Sequence, residues 1–180
     1  MHRIIIVSME YFSLFELPVQ LEVDKKELRA RYLDLSRRFH PDYFATASAE
    51  AQQEALDATA QLNKAFKTLS NREETIRYVL QQKSLLADEE KYSLSPDFLM
   101  EMLEINEAVA DLAFDPDPQR RAEIASQIKN WEHEIYEPVA SIVANYQEGV
   151  TTEKELLQVK DYYFRKKYLE RLQQQLMGIS

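Results

Sequence analysis

The chain has 180 residues, a formal net charge of −9, 45% apolar and 29% charged residues, two glycines and no cysteine. That length can bury one sizeable core or two small ones, the missing cysteine excludes disulfides, thiolate metal sites and a cysteine nucleophile, and the net acidity argues against nucleic acid as the main partner, because phosphate binding needs clustered cations. Scarce glycine in a chain rich in Ala, Leu, Glu, Gln and Lys predicts an all-α fold.

In chain order, the apolar run Ile4 to Val7 is too short for a signal-peptide core or a membrane span. Met9 offers a second start, so residues 1–8 read as an N-terminal extension and the protein is expected in the cytoplasm. A short helix is predicted around Tyr11 to Phe15, ahead of Pro18. From Lys25 to Phe39, Leu28, Tyr32, Leu35 and Phe39 fall on one helical face, with Asp24 placed to cap the start. Pro41 disfavours helical geometry at His40 and stops the run. A second long helix is predicted over Ala49 to Leu69, with Ala55, Ala58, Leu62, Phe66 and Leu69 on its core face. Another follows around Glu73 to Gln82, and the weakly periodic residues 84–95 read as a linker. Three further helices are predicted: Pro96 to Leu112, ended by the Asp-Pro-Asp-Pro of 115–118; Pro118 to Tyr146, with Pro138 expected to kink or interrupt it; and Thr152 to Leu176.

His40-Pro41-Asp42 by itself is a helix stop followed by a turn. As an acid–base pair, His40 and Asp42 would stand at a helix end with no activated nucleophile, no phosphate loop and His2 and His133 remote in sequence, so an enzyme is not expected. The helix before the tripeptide places Lys26, Arg29 and Arg37 opposite its apolar stripe, and Arg38 is on the same helix. Basic side chains there either solvate the helix or form a cationic face for an acidic partner. The order YFSLFELP, basic amphipathic helix, HPD and a second helix ending LNKAFKTL resembles a J-domain, the module that docks on DnaK-type chaperones and stimulates their ATPase. The resemblance implies that His40, Pro41 and Asp42 contact the chaperone, with Lys26, Arg29, Arg37 and Arg38 steering the encounter.

Downstream, Phe98, Met102, Ile105, Val109 and Leu112 form a core stripe, while Leu99, Met100 and Leu103 lie away from it beside Glu104, Glu107 and Asp111. On pattern alone that second surface is either a helix buried on both sides or an exposed apolar patch with a charged rim. FLMEMLEINEAVADL after a J-domain, followed by a late YYFRKKYLERL, resembles the HscB family, the J-type co-chaperones of iron–sulfur cluster assembly. The resemblance implies a J-domain over 9–83, a linker over 84–95 and a three-helix bundle over 96–180. It implies two partners, a cluster scaffold of the IscU type and a dedicated DnaK-type chaperone of the HscA type. The scaffold surface it implies comprises Leu99, Met100, Leu103, Glu104, Glu107, Asp111 and Phe164, although Phe164 also shares a stripe with Leu157, Tyr168 and Leu172, as core aromatics do. Asn106 stands where relatives often carry a basic residue, and without cysteine the N-terminal metal site of some relatives is excluded. No metal, cofactor, nucleic acid, membrane or small-molecule substrate is expected. A J-domain protein with a different client is the alternative.

Overall fold

A computed structural model describes residues 11–178, so the expected extension over 1–8 lies outside the described residues. Among the described residues all regular structure is helical: α1 (Tyr11–Leu14), α2 (Lys25–Arg38), a 3₁₀ turn (Pro41–Phe44), α3 (Ala49–Leu69), α4 (Arg72–Gln82), α5 (Pro96–Glu101), α6 (Leu103–Phe114), α7 (Pro118–Ala144) and α8 (Glu153–Gly178). The chain divides into two compact units, Met1–Val79 and Leu80–Ser180.

In the first unit, Asp24 caps α2 by accepting from the amides of Lys26 and Glu27, both at 2.8 Å. These bonds hold its carboxyl below the usual carboxylate range. Tyr32 stacks on Phe66 at 4.2 Å and donates to Asn63 at 2.8 Å, while the Thr59 hydroxyl donates to the Phe39 carbonyl at 3.0 Å. Rising positions on α2 thus meet falling positions on α3, so the two helices are antiparallel. Ala55, Ala58 and Ala65 are buried on α3 along with Leu62 and Leu69, and small side chains let the helices approach. Buried Leu28, Phe12, Phe15 and Ile76 complete this core, each large side chain contributing about 1.5–3 kcal/mol from burial. Arg31 donates to the carbonyls of Phe15 and Glu16 and pairs with Glu27 at 2.7 Å, tying the end of α1 to α2.

In the second unit, α7 and α8 pack along their lengths and α6 packs on both. The predicted stripe Phe98, Met102, Ile105, Val109 and Leu112 is buried, facing Ile124, Ile128, Ile135 and Val139 of α7 and Leu156, Val159, Tyr162, Leu169 and Leu172 of α8. Two features differ from expectation. The helix predicted over 96–112 is broken at Met102, and its second part continues to Phe114. α7, by contrast, runs through Pro138 without interruption. A proline leaves one helical carbonyl without its amide partner; Glu134, whose carbonyl that is, lies on the exposed side, while Ile135, Val139 and Val143 hold the opposite side in the core.

The non-helical residues between α4 and α5 are tied down rather than loose. Lys160 on α8 donates to the Leu85 carbonyl at 2.7 Å and pairs with Glu90, holding the Glu90 carboxyl below its usual range together with the Ala87 amide. Tyr92 lays its ring on Phe164 and donates to Asp161 at 2.9 Å. Burial, then that carboxylate, push the Tyr92 hydroxyl up to about 12, so it remains a donor at any physiological pH.

Candidate functional site

In the first unit the residues singled out by sequence gather at and before one turn. His40 has extended backbone (φ −63, ψ 124), as the following proline requires. Its ring Nδ1 accepts from the Asp42 amide at 3.3 Å and so caps the 3₁₀ turn that Pro41 opens. The same nitrogen lies 3.6 Å from an Asp42 carboxylate oxygen. These two contacts exclude one another: the amide bond needs the lone pair of the neutral ring, whereas the ion pair forms only on protonation. In the neutral form the remaining proton sits on Nε2, and the exposed ring presents it to solvent. The Asp42 side chain is 88% exposed. A partner thus meets a ring N–H donor and a free carboxylate on a turn whose backbone is already set.

The basic residues sort into two kinds. Arg31 is held by the Phe15 and Glu16 carbonyls just beyond α1 and by Glu27. Lys26, Arg29, Arg37 and Arg38 are exposed; Arg37 makes one loose pair with Asp34 at 3.7 Å, and Arg29 and Arg38 have no ionic partner among the described residues. Pairs this exposed contribute little to stability, leaving the α2 charges free to act over distance toward an acidic surface.

In the second unit Leu99, Met100 and Leu103 are 43%, 74% and 55% exposed, immediately beside core residues that are fully buried. Glu104 and Glu107 are exposed and have no ionic partner among the described residues, while Asp111 is engaged by Arg120 at 3.3 Å. The surface crosses the break at Met102. There the Asn106 side-chain amide donates to the Met102 carbonyl at 2.8 Å and to the Tyr168 hydroxyl, so the carbonyl that also receives the Asn106 backbone amide carries two donors. A side chain competing for a helical carbonyl bends the helix locally.

Phe164 is half-buried, stacked on Tyr92 at 4.3 Å and meeting Tyr163 edge-on at 5.3 Å. Its expected stripe divides: Leu172 is buried and Leu157 is 45% exposed. One turn beyond Phe164, Tyr168 meets Phe98 edge-on at 5.7 Å, which sets α5 against that turn of α8. Sequence reasoning missed Tyr92, whose neighbours Lys91 and Ser93 give it no periodic signal. Among the described residues no cluster of three or more metal-ligating side chains occurs, and no helix is long and apolar enough to cross a membrane.

Residues 94–177 match the family model described as the HSCB C-terminal oligomerisation domain. A relative from Photobacterium profundum, named a co-chaperone protein HscB homolog, is 38% identical over 112 residues, which are 62% of this chain and 66% of the relative. One of the same name from Aliivibrio salmonicida is 32% identical over 149 residues, covering 75% of this chain and 87% of the relative. Among solved structures, the chaperone HscB from Vibrio cholerae superposes with a TM-score of 0.64 at 28% identity, covering 93% of this chain and 99% of that one. The human co-chaperone protein HscB shares the fold, with a TM-score of 0.80 at 24% identity over 95% of this chain and 82% of that one.

Proposed function

Because this chain belongs to the HscB co-chaperone family, we propose that it is a non-enzymatic adaptor that binds an iron–sulfur scaffold of the IscU type and hands it to a DnaK-type chaperone of the HscA type. On this reading residues 9–83 are the J-domain, 84–95 the linker and 96–180 the scaffold-binding bundle of a cytoplasmic protein. The J-domain docks through the α2 cations, and His40, Pro41 and Asp42 trigger the chaperone's ATP hydrolysis. The bundle holds the scaffold on Leu99, Met100 and Leu103, with Glu104, Glu107 and Asp111 as its acidic rim and Phe164 contributed by α8. Holding both partners on one chain raises the effective concentration of scaffold at the chaperone's peptide site. Hydrolysis then traps the scaffold and favours cluster transfer.

The observation that carries the reading is the exposure of three adjacent large apolar residues beside unpaired carboxylates. Water-facing apolar clusters of this kind are the usual centre of a protein interface. The test is calorimetric titration of the full chain with an IscU-type scaffold. Combined replacement of Leu99, Met100 and Leu103 by alanine is expected to weaken binding by about a hundredfold or more, while stimulation of the chaperone without scaffold is retained. A parent protein that binds no scaffold would leave a J-domain protein with another client. A triple variant that binds as the parent does would remove the surface from the reading.

A further inference from the structure

Residues 160–171 of α8 carry five cations against two carboxylates, in a chain whose net charge is −9. Two of these cations, Lys167 and Arg171, line a groove of about 620 Å³ with Tyr163, Phe164 and Glu170, facing Glu90, Lys91 and Tyr92 of the non-helical segment before α5. Its floor is aromatic. The Tyr92 and Phe164 rings are parallel within 4°, and Lys167 lies 5.7 Å above the Tyr163 ring. Both carboxylates of the rim are already engaged, Glu90 by Lys160 and Glu170 by Lys167 at 3.3 Å. Two exposed cations are not. Arg171 rests 5.9 Å over the Tyr168 ring and Lys91 lines the groove from the non-helical segment, each without an ionic partner among the described residues.

The groove is linked to α5 and α6, the helices that carry the apolar patch, through one residue. Tyr168 lies beneath Arg171, meets Phe98 of α5 at its edge and accepts the Asn106 amide of α6 on its hydroxyl. Phe164, on the preceding turn, belongs to the groove floor. We propose that this cationic, aromatic-floored groove is a second docking site, linked through Tyr168 to the helices that carry the apolar patch, that takes an acidic segment of the same scaffold partner. The proposal rests on the scaffold-binding reading above. The exposed Arg171 and Lys91 beside an aromatic floor match carboxylates flanked by apolar side chains. The paired carboxylates on the rim disfavour a continuous phosphate backbone, which would have to run past both. Charge is thus segregated on the bundle, with an acidic rim along α6 and a basic groove along α8, and the two fix the direction in which the scaffold lies.

The test sets Lys91→Glu/Arg171→Glu beside the parent chain and the Leu99/Met100/Leu103 triple-alanine variant, titrating an IscU-type scaffold at low and high salt. The charge-reversed chain is expected to bind about tenfold more weakly at about 0.05 M salt, and the gap should close to about twofold at about 0.5 M, where screening is strong. Lys91→Arg/Arg171→Lys keeps both charges and should bind as the parent does; the same melting temperature in all variants shows that the fold is intact. If the parent and triple variant behave as the scaffold reading requires but charge reversal leaves affinity unchanged at both salts, the groove proposal is overturned and the reading stands. If the parent itself does not bind, the reading falls first. Reversal that abolishes retention of a single-stranded RNA oligonucleotide and leaves scaffold affinity untouched would overturn the proposal in favour of a polyanion site.

Discussion

At the scale of single residues, the His40 ring does two jobs with two nitrogens. Nδ1 fixes the turn by accepting from the Asp42 amide, and Nε2–H is left for a partner. Asp42 gives its amide to the turn, while its carboxylate stays in water. Replacing that carboxylate therefore removes an exposed charge without removing a structural bond. Asp42→Asn is expected to fold as the parent does, with an unchanged helical circular dichroism spectrum and melt, and to lose stimulation of a DnaK-type chaperone's ATPase by about tenfold or more, as when a charged group desolvated at an interface loses its charge. A fully active Asp42→Asn chain would sink the assigned role of the tripeptide. The sequence shows the tripeptide and its proline. It does not show that the histidine caps its own turn, because that bond depends on a side-chain rotamer.

At the scale of elements, most of the helices were legible because their apolar positions recur at three and four residues. On α3, Ala55, Ala58, Leu62 and Leu69 become core and Phe66 is half-buried, whereas of the expected α2 stripe Leu28 is buried and Tyr32, Leu35 and Phe39 are half-buried. What escaped detection depended on contacts between residues distant in sequence. The break at Met102 coincides with Asn106, whose amide reaches back to the Met102 carbonyl and across to Tyr168 on α8; nothing in a helical wheel signals it. Pro138 misled in the opposite sense, since α7 is held against α8 by buried residues on both sides of the proline. Within the candidate site, the wheel set Leu99, Met100 and Leu103 off the core stripe but left open whether they are covered, and it gave no sign of the partners of Phe164, because Tyr92 lies outside any periodic stretch. The Asn106 bridge carries its own expectation. Asn106→Ala leaves the Tyr168 hydroxyl without this donor, and unfolding in urea followed at Trp131 should show a loss of about 1–2 kcal/mol. No change in the midpoint would mean that the bridge merely accompanies the break.

At the scale of the whole molecule, the two units differ in how they are anchored against acid. In the first, Asp24 is held below its ordinary range by two backbone amides. In the second, three carboxylates are held down: Glu155 by the Thr152 hydroxyl and amide that it caps, Glu90 by Lys160, and Glu148 by Lys83. A carboxyl whose folded value lies below its unfolded one takes up protons on unfolding. Its contribution is fully present above the unfolded value, near 4.5 for these glutamates, and is lost as pH falls through the depressed folded values. Trp131 is the chain's one tryptophan and sits on α7, so its fluorescence reports the second unit alone. Between pH 6 and pH 3 the denaturant midpoint seen at Trp131 should fall. Glu148→Gln, which removes the bond that binds Lys83 to the residues joining α7 and α8, should lower the midpoint at pH 6 and flatten its dependence on pH. A midpoint independent of pH in the parent chain would contradict the assignment of these carboxylates as anchors. Equal slopes in parent and variant would take Glu148 out of that set and leave Glu90 and Glu155 to account for the loss.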